Sequence, residues 1–188
     1  MYQRLIGYTP GNKDWCRVVM DQRTTEIVSA LPIRDMRALE ISGERWKDAG
    51  FGSFKSAHFP EFDITTDVMD ESFDIIIAEQ VFEHILWPYR AGRNVFSMLN
   101  KGGYFLITTP FLLKIHEYPV DCSRWSPTGL KYFLAECGFE LGNITVEGWG
   151  NESCVVANLR EWMPYNPKKH SLKNDEEFPV VVWAMARK

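Results

Sequence analysis

The chain has 188 residues, enough for one domain with a sizeable core, and 45% of them are apolar, as in ordinary globular proteins. No apolar run approaches the ~20 residues that cross a bilayer, which argues against a membrane-spanning chain. A net charge of -4 argues against a nucleic-acid backbone as partner, since phosphates attract basic surfaces.

Residues 1–13 read as an arm or loop, with Thr9-Pro10-Gly11-Asn12 a turn signal. Asp14 is placed to cap a helix. Met20, Thr24, Ile27, Val28 and Leu31 then share one helical face, and Pro32 stops the pattern. Residues 37–41 read as a first strand, followed by a turn at Ser42-Gly43. Residues 44–50 leave room for a short helix, and residues 54–59 for a second strand carrying His58 at its end. Between Phe59 and Phe73 the chain is too short for a full helix, another strand and a loop of normal size. This edge of the sheet is therefore expected to be trimmed.

The run Phe73-Asp74-Ile75-Ile76-Ile77-Ala78 shows no period-two alternation, so it reads as a strand buried on both faces of a parallel sheet. Glu79, Gln80, Glu83 and His84 follow at its carboxyl end, where doubly wound sheets bind ligands. Residues 88–100 read as a helix, with Pro88 in its first turn and Ala91, Val95 and Leu99 on one face. Lys101-Gly102-Gly103 stops it, and the next strand, 104–108, carries Thr109-Pro110 into the same crevice. The loop 111–124 then mixes aromatic, acidic, basic and imidazole groups, in a position where loops carry function on a rigid scaffold. Its plainer reading pairs Asp121 with Arg124 and sinks Trp125 into the core. Ser126-Pro127 opens another helix, with Leu130, Phe133, Leu134 and Cys137 buried and Gly138 at its end. Residues 139–146 suit a strand, 148–151 a turn, 152–163 a helix, 164–179 an irregular stretch and 180–184 a terminal strand. Within this tail, Trp149, Trp162 and Tyr165 can cover a site or fill the core.

The stretch from Phe73 to Ile85, with the helix, Lys-Gly-Gly, strand and Thr-Pro that follow it, resembles the fourth-strand region of class I S-adenosylmethionine (SAM)-dependent methyltransferases. The likeness runs from about Arg37 to Phe139. It implies an α/β fold: a doubly wound, mostly parallel sheet with an antiparallel C-terminal strand, in a three-layer sandwich trimmed at the second/third-strand edge. A single domain over 1–188 is expected, with 1–36 as N-terminal arm and helix and 148–178 as an insertion before the last strand. The implied function is methyl transfer from SAM to a small-molecule or sugar acceptor, at oxygen or nitrogen. The alternative is a degenerate relative that keeps the fold as a non-catalytic binding or interaction module. By resemblance, Glu40, Ser42 and Gly43 form motif I, an acidic residue before a glycine-rich turn that approaches the cofactor's amino acid end. Here Ser42 and Glu44 stand where glycines are usual. His58 holds the place of the ribose-binding acid, Asp63 and Ile64 that of the pair flanking the adenine, and Glu79 and Gln80 would line the methionine end. A nucleotide-binding oxidoreductase would carry G-x-G-x-x-G after the first strand, and this chain does not.

Methyl transfer requires an acceptor atom aligned with the methyl group and, for a hydroxyl or ammonium, removal of its proton. Histidine titrates near neutrality, so His116 and His84 are the candidates, His116 first because its loop should face the acceptor. Tyr118, Asp121 and Arg124 are candidates to orient the acceptor. Glu83-His84 has no partner histidine nearby in sequence, so no metal is expected. Cys16, Cys122, Cys137 and Cys154 form no C-x-x-C pair, which suits neither zinc nor a disulfide framework and points to the reducing cytoplasm. No nucleic-acid or membrane partner is expected, and a homodimer is compatible with the sequence.

Overall fold

A computed structural model describes residues 13–188, so the arm expected at residues 1–12 lies outside them. Helix α1, Val18–Ser29, buries Met20, Thr24 and Val28, which recur at the i, i+4 spacing of one helical face. Asp14 makes no side-chain cap; its backbone instead bridges Pro164, far along the chain. Strand β1 (Arg37–Ile41) is followed by β2 (Ser53–Ala57) and β3 (Phe73–Glu79). Helix α2 (Pro88–Met98), β4 (Leu99–Pro110) and α3 (Pro127–Glu136) come next. The chain ends with β5 (Ile144–Trp149), α4 (Glu152–Asn158) and β6 (Val181–Arg187).

The strands form one sheet in the order β2-β1-β3-β4-β6-β5. β1 to β4 are parallel, whereas β6 runs antiparallel to both β4 and β5. β2 ends the sheet on its side, as expected from the short connection to Phe73. Alternate residues of each strand face opposite layers. Leu39, Ile41, Ile76, Ala78, Phe105 and Ile107 pack with Ala91 and Val95 of α2 and Leu130 and Phe133 of α3. Ala38, Ile75, Ile77 and Leu106 pack on the other face with Val28 of α1 and Trp46. On that second face Trp15, Met20, Cys154, Trp149 and Trp183 join α1 to α4 and the segment before β6. Helices on both faces of a mostly parallel sheet give the expected three layers. No helix among the described residues is long and apolar enough to cross a membrane.

Several boundaries differ from expectation. Residues 44–50 form turns rather than a helix, and β2 stops at Ala57, leaving His58 beyond it. The strand after α2 starts at Leu99, because Gly102, at a φ of 82°, lets the Lys101-Gly102-Gly103 turn fold within an extended segment beside Phe73. β5 starts only at Ile144 and runs through Gly148-Trp149, so the inserted segment begins at Gly150. α4 ends at Asn158 because that side chain donates to the Cys154 carbonyl and accepts from the Met163 amide, turning the chain away.

Gly150 fixes this exit. A Cβ there would overlap the backbone of Phe178 and Val180, which cannot rotate away. Gly150→Ala is expected to lower stability by about 1–3 kcal/mol, the usual range for overpacking. Urea unfolding should show a lower midpoint, with Gly142→Ala, where a Cβ meets nothing within 4 Å, as the unaffected control.

Candidate active site

β1 and β3 end side by side, with Ile41 opposite Ala78, and Glu79 of β3 lies opposite Thr108 of β4. The turn after β1 is held by Glu40, which is 2% exposed. Its Oε1 accepts from the Arg45 amide at 3.1 Å and its Oε2 from the Trp46 amide at 2.9 Å. Burial raises the Glu40 carboxyl above its ordinary range, and the Trp46 amide partly offsets this. A side chain at Gly43 would overlap the Glu40 carboxylate and push it off the Arg45 and Trp46 amides. Ser42 takes a φ of 57°, a conformation that favours glycine, and its amide donates to Ala57 at 2.7 Å.

Arg45 is a residue the sequence reading missed. Its guanidinium ties the turn after β1 to α1 and β3. Nη1 donates to Glu79 and to Thr24 Oγ1 at 3.2 Å; Nη2 donates to the Asp21 carbonyl at 2.8 Å and to Thr25 Oγ1 at 2.9 Å. Burial raises the Glu79 carboxyl, and Arg45 opposes that rise. Next to it Gln80, at a φ of 55°, donates its amide to the Thr108 carbonyl at 2.9 Å and its Nε2 to Thr108 Oγ1 at 3.1 Å. Glu40, Ser42, Gly43, Glu79 and Gln80 therefore meet at one crevice. His58 is exposed just past β2. On the β2–β3 connection, Asp63 Oδ1 accepts from the Thr65 amide and hydroxyl at 2.9 and 2.7 Å. The neighbouring Ile64 is buried, its carbonyl bonded by Asn94 at 2.8 Å.

A second cluster lies just beyond β3, where the short helical turn Phe82–His84 meets the loop 111–124. The Cys122 and Ser123 amides donate to the Glu83 carbonyl at 2.7 and 3.3 Å, and His84 Nδ1 bonds the Val120 carbonyl. The ring of His84 lies edge-on to that of His116, with centroids 5.0 Å apart. The His116 amide donates to Asp121 Oδ2 at 2.9 Å, and Asp121 is ion-paired with Arg124. His116 Nδ1 lies 3.3 Å from both Asp121 Oδ2 and Arg124 Nη2. Burial and then the nearby His84 lower the His116 pKa. Burial alone would raise Asp121, but Arg124 and the His116 amide outweigh it and hold the carboxyl below its ordinary range.

Glu83 is fully buried, and neither carboxylate oxygen has a hydrogen-bond partner. Burial pushes its carboxyl up to about 8. Glu83, His84 and His116 each offer a ligand atom, and the three atoms lie within 4.8 Å of one another. Sequence spacing hid this, because the partner histidine for Glu83-His84 comes from the next strand's loop. Tyr118 is 42% exposed at the rim. Trp125 packs against the core, as its plainer reading held. From the inserted segment, Trp162 meets His116 edge-on at 5.5 Å and lies under Lys114.

Residues 4–141 match the methyltransferase-domain family. No curated protein matches the sequence. Among solved structures, a SAM-dependent methyltransferase from Archaeoglobus fulgidus is 14% identical, with a TM-score of 0.62 over 100% of this chain and 98% of that one. An S-adenosylmethionine-dependent methyltransferase from Mesorhizobium loti is 12% identical, with a TM-score of 0.57 over 92% of this chain and 100% of that one. Phosphoethanolamine N-methyltransferase 2 of Haemonchus contortus, solved with S-adenosyl-L-methionine, is 15% identical, with a TM-score of 0.58 over 89% of this chain and 52% of that one.

Proposed function

The chain belongs to the methyltransferase-domain family and is a SAM-dependent enzyme; from that premise we propose that it methylates a small-molecule or sugar acceptor at oxygen or nitrogen. The observation that carries this reading is the end of β3. It delivers Glu79-Gln80 to the crevice beside β1 and, a few residues on, Glu83-His84 to the loop that holds His116. One strand end thus supplies both a cofactor side and an acceptor side, as the crevice rule for such sheets leads one to expect.

The donor set of the crevice suits the cofactor. Glu79 and the Asp21 carbonyl already hold a cation, the Arg45 guanidinium, and the cofactor's methionine end carries an ammonium. Glu40, Ser42, Gly43, Glu79 and Gln80 would hold that end, with His58 toward the ribose and Asp63-Ile64 toward the adenine. Bound SAM would supply an activated methyl group, and the residues of this chain would hold the acceptor atom in line with it. His116 and His84 draw the proton from the acceptor atom. Asp121, braced by Arg124, orients His116. Tyr118 and Arg124 contact the acceptor at the rim, and Trp162 keeps water from the ring of His116. The four cysteines are unpaired, which supports a reducing compartment.

Calorimetric titration of the full chain with SAM is expected to show binding that S-adenosylhomocysteine competes away. The departures at Ser42 and Glu44, and Arg45 lying in the crevice, favour a second reading, a binding module without catalysis. Folded protein that takes up no SAM at roughly millimolar concentration (a binding free energy weaker than about -4 kcal/mol) would decide for that module.

A further inference from the structure

We propose that Glu83, His84 and His116 form a site for a divalent transition-metal ion of the zinc class, open at its fourth position to an oxygen of the acceptor. The proposal rests on reading this cluster as the place where the acceptor is activated, and it specifies the means. Two imidazoles and one carboxylate are a donor set that zinc and neighbouring first-row metals take, with a coordination position left for water or substrate.

Four observations converge. First, the three donor atoms already lie within 4.8 Å of one another. Ligands ~2.1 Å from a tetrahedral ion sit roughly 3.4 Å apart, and Glu83 Oε1 and His84 Nε2 are separated by 3.6 Å.

Second, His84 Nδ1 bonds the Val120 carbonyl, an acceptor, so Nδ1 carries the proton. Nε2 then presents a lone pair toward Glu83 Oε1. Fixing the tautomer from the far side of the ring is how outer-shell partners prepare a ligating histidine.

Third, Asp121 Oδ2 and the Arg124 guanidinium both lie 3.3 Å from His116 Nδ1 and fix the orientation of the ring; with the Nδ1 proton turned to Asp121, Nε2 is left free as a ligand. Fourth, Glu83 is fully buried with both oxygens unpartnered. An unpaired buried polar group is costly, and a cation between Glu83 and His84 supplies the missing partner. The cluster is separate from the crevice where Glu79 pairs with Arg45.

The ion selects the acceptor chemistry. A hydroxyl at the open position becomes more acidic on the metal. With both imidazoles taken by the ion, the proton would leave to solvent rather than to His116 or His84. The oxygen would keep the electron pair that bonds to the methyl carbon, and the loss in His116→Ala would be that of a ligand. This points to O-methylation of a hydroxyl-bearing acceptor.

The test uses the full chain stripped with a chelator, titrated with Zn²⁺ by calorimetry and with Co²⁺ by visible absorption. One ion per chain is expected, with the strong d–d bands of four-coordinate cobalt. Asp121→Asn should weaken Zn²⁺ binding by about 10–100-fold, the usual loss for an outer-shell partner. Glu83→Gln, nearly isosteric, and His84→Ala should each weaken it further, in protein whose unfolding midpoint shows it folded. Absence of Zn²⁺ binding overturns the proposal. So does binding unchanged in both ligand variants, which would place the ion on His58 or His170. SAM is titrated in parallel. Zn²⁺ uptake without SAM binding upholds the metal site and counts against the methyl-transfer reading; SAM binding without Zn²⁺ uptake does the reverse.

Discussion

His116→Ala is expected to lower turnover by about 10²–10⁴-fold on a proton-bearing acceptor, the range that positioned proton transfer contributes, while SAM affinity stays within a few-fold. The separation of effects follows from placement. His116 belongs to the loop 111–124, bonded to Asp121 and Arg124, whereas the cofactor crevice is built from Glu40, Glu79 and Gln80. Loss of the imidazole leaves the Asp121–Arg124 ion pair in place, so the loop should keep its shape. Steady-state kinetics with a found acceptor, beside SAM calorimetry, reads both quantities. His84→Ala should also damage turnover, because its ring meets that of His116 and faces Glu83. Near-normal turnover in His116→Ala would remove this residue from the chemistry, and the burden would pass to His84.

The parts of this molecule legible in the sequence are those set by local pattern. The unalternating run 73–78, half-buried Asp74 apart, is buried in the centre of the sheet, and the Ser126 cap accepts from the Gly129 amide, as its position before Pro127 suggested. The short 59–73 connection did announce a trimmed edge. Features decided by tertiary contact were not legible. Asp14 looks like a helix cap, yet Pro164, 150 residues away, claims its backbone. Glu44 to Gly50 has helix formers, but Glu40 takes the Arg45 and Trp46 amides and bends the chain into turns. Arg45 carried no signal beside Ser42 and Glu44, which stand where glycines are usual; its role appears only when α1 and β3 are brought to it. The grouping of Glu83 with His116 likewise depends on the loop after β4 folding back to bond Glu83. Chemistry shared between distant segments leaves no spacing to read.

Arg45→Ala is expected to lower stability by about 3 kcal/mol at neutral pH. The figure is the low end for breaking a buried ion pair, discounted because the Arg45 side chain is 30% exposed while that of Glu79 is 6% exposed. Removing the guanidinium leaves Glu79 without its cation and frees the Asp21 carbonyl and the Thr24 and Thr25 hydroxyls of α1. Arg45→Lys should recover only part, since an ammonium cannot reproduce the planar fork that bonds several groups at once. The loss should depend on pH in a definite direction. Glu79 in the folded chain is raised above its ordinary value of 4.5 by burial, against the opposing pull of Arg45. A raised carboxyl contributes stability that is full below the unfolded value and is lost as pH rises through the folded one. Without Arg45 the folded value rises further, so that loss becomes larger. At low pH, where Glu79 is protonated with or without Arg45, the variant and the parent chain should differ least; above pH 4.5 the gap should widen. Urea unfolding across that window reads the difference, and Glu79→Gln in the Arg45→Ala background should flatten it. A deficit equal at all pH values would mean that Arg45 acts through its bonds to α1 alone, with the carboxylate of Glu79 a bystander.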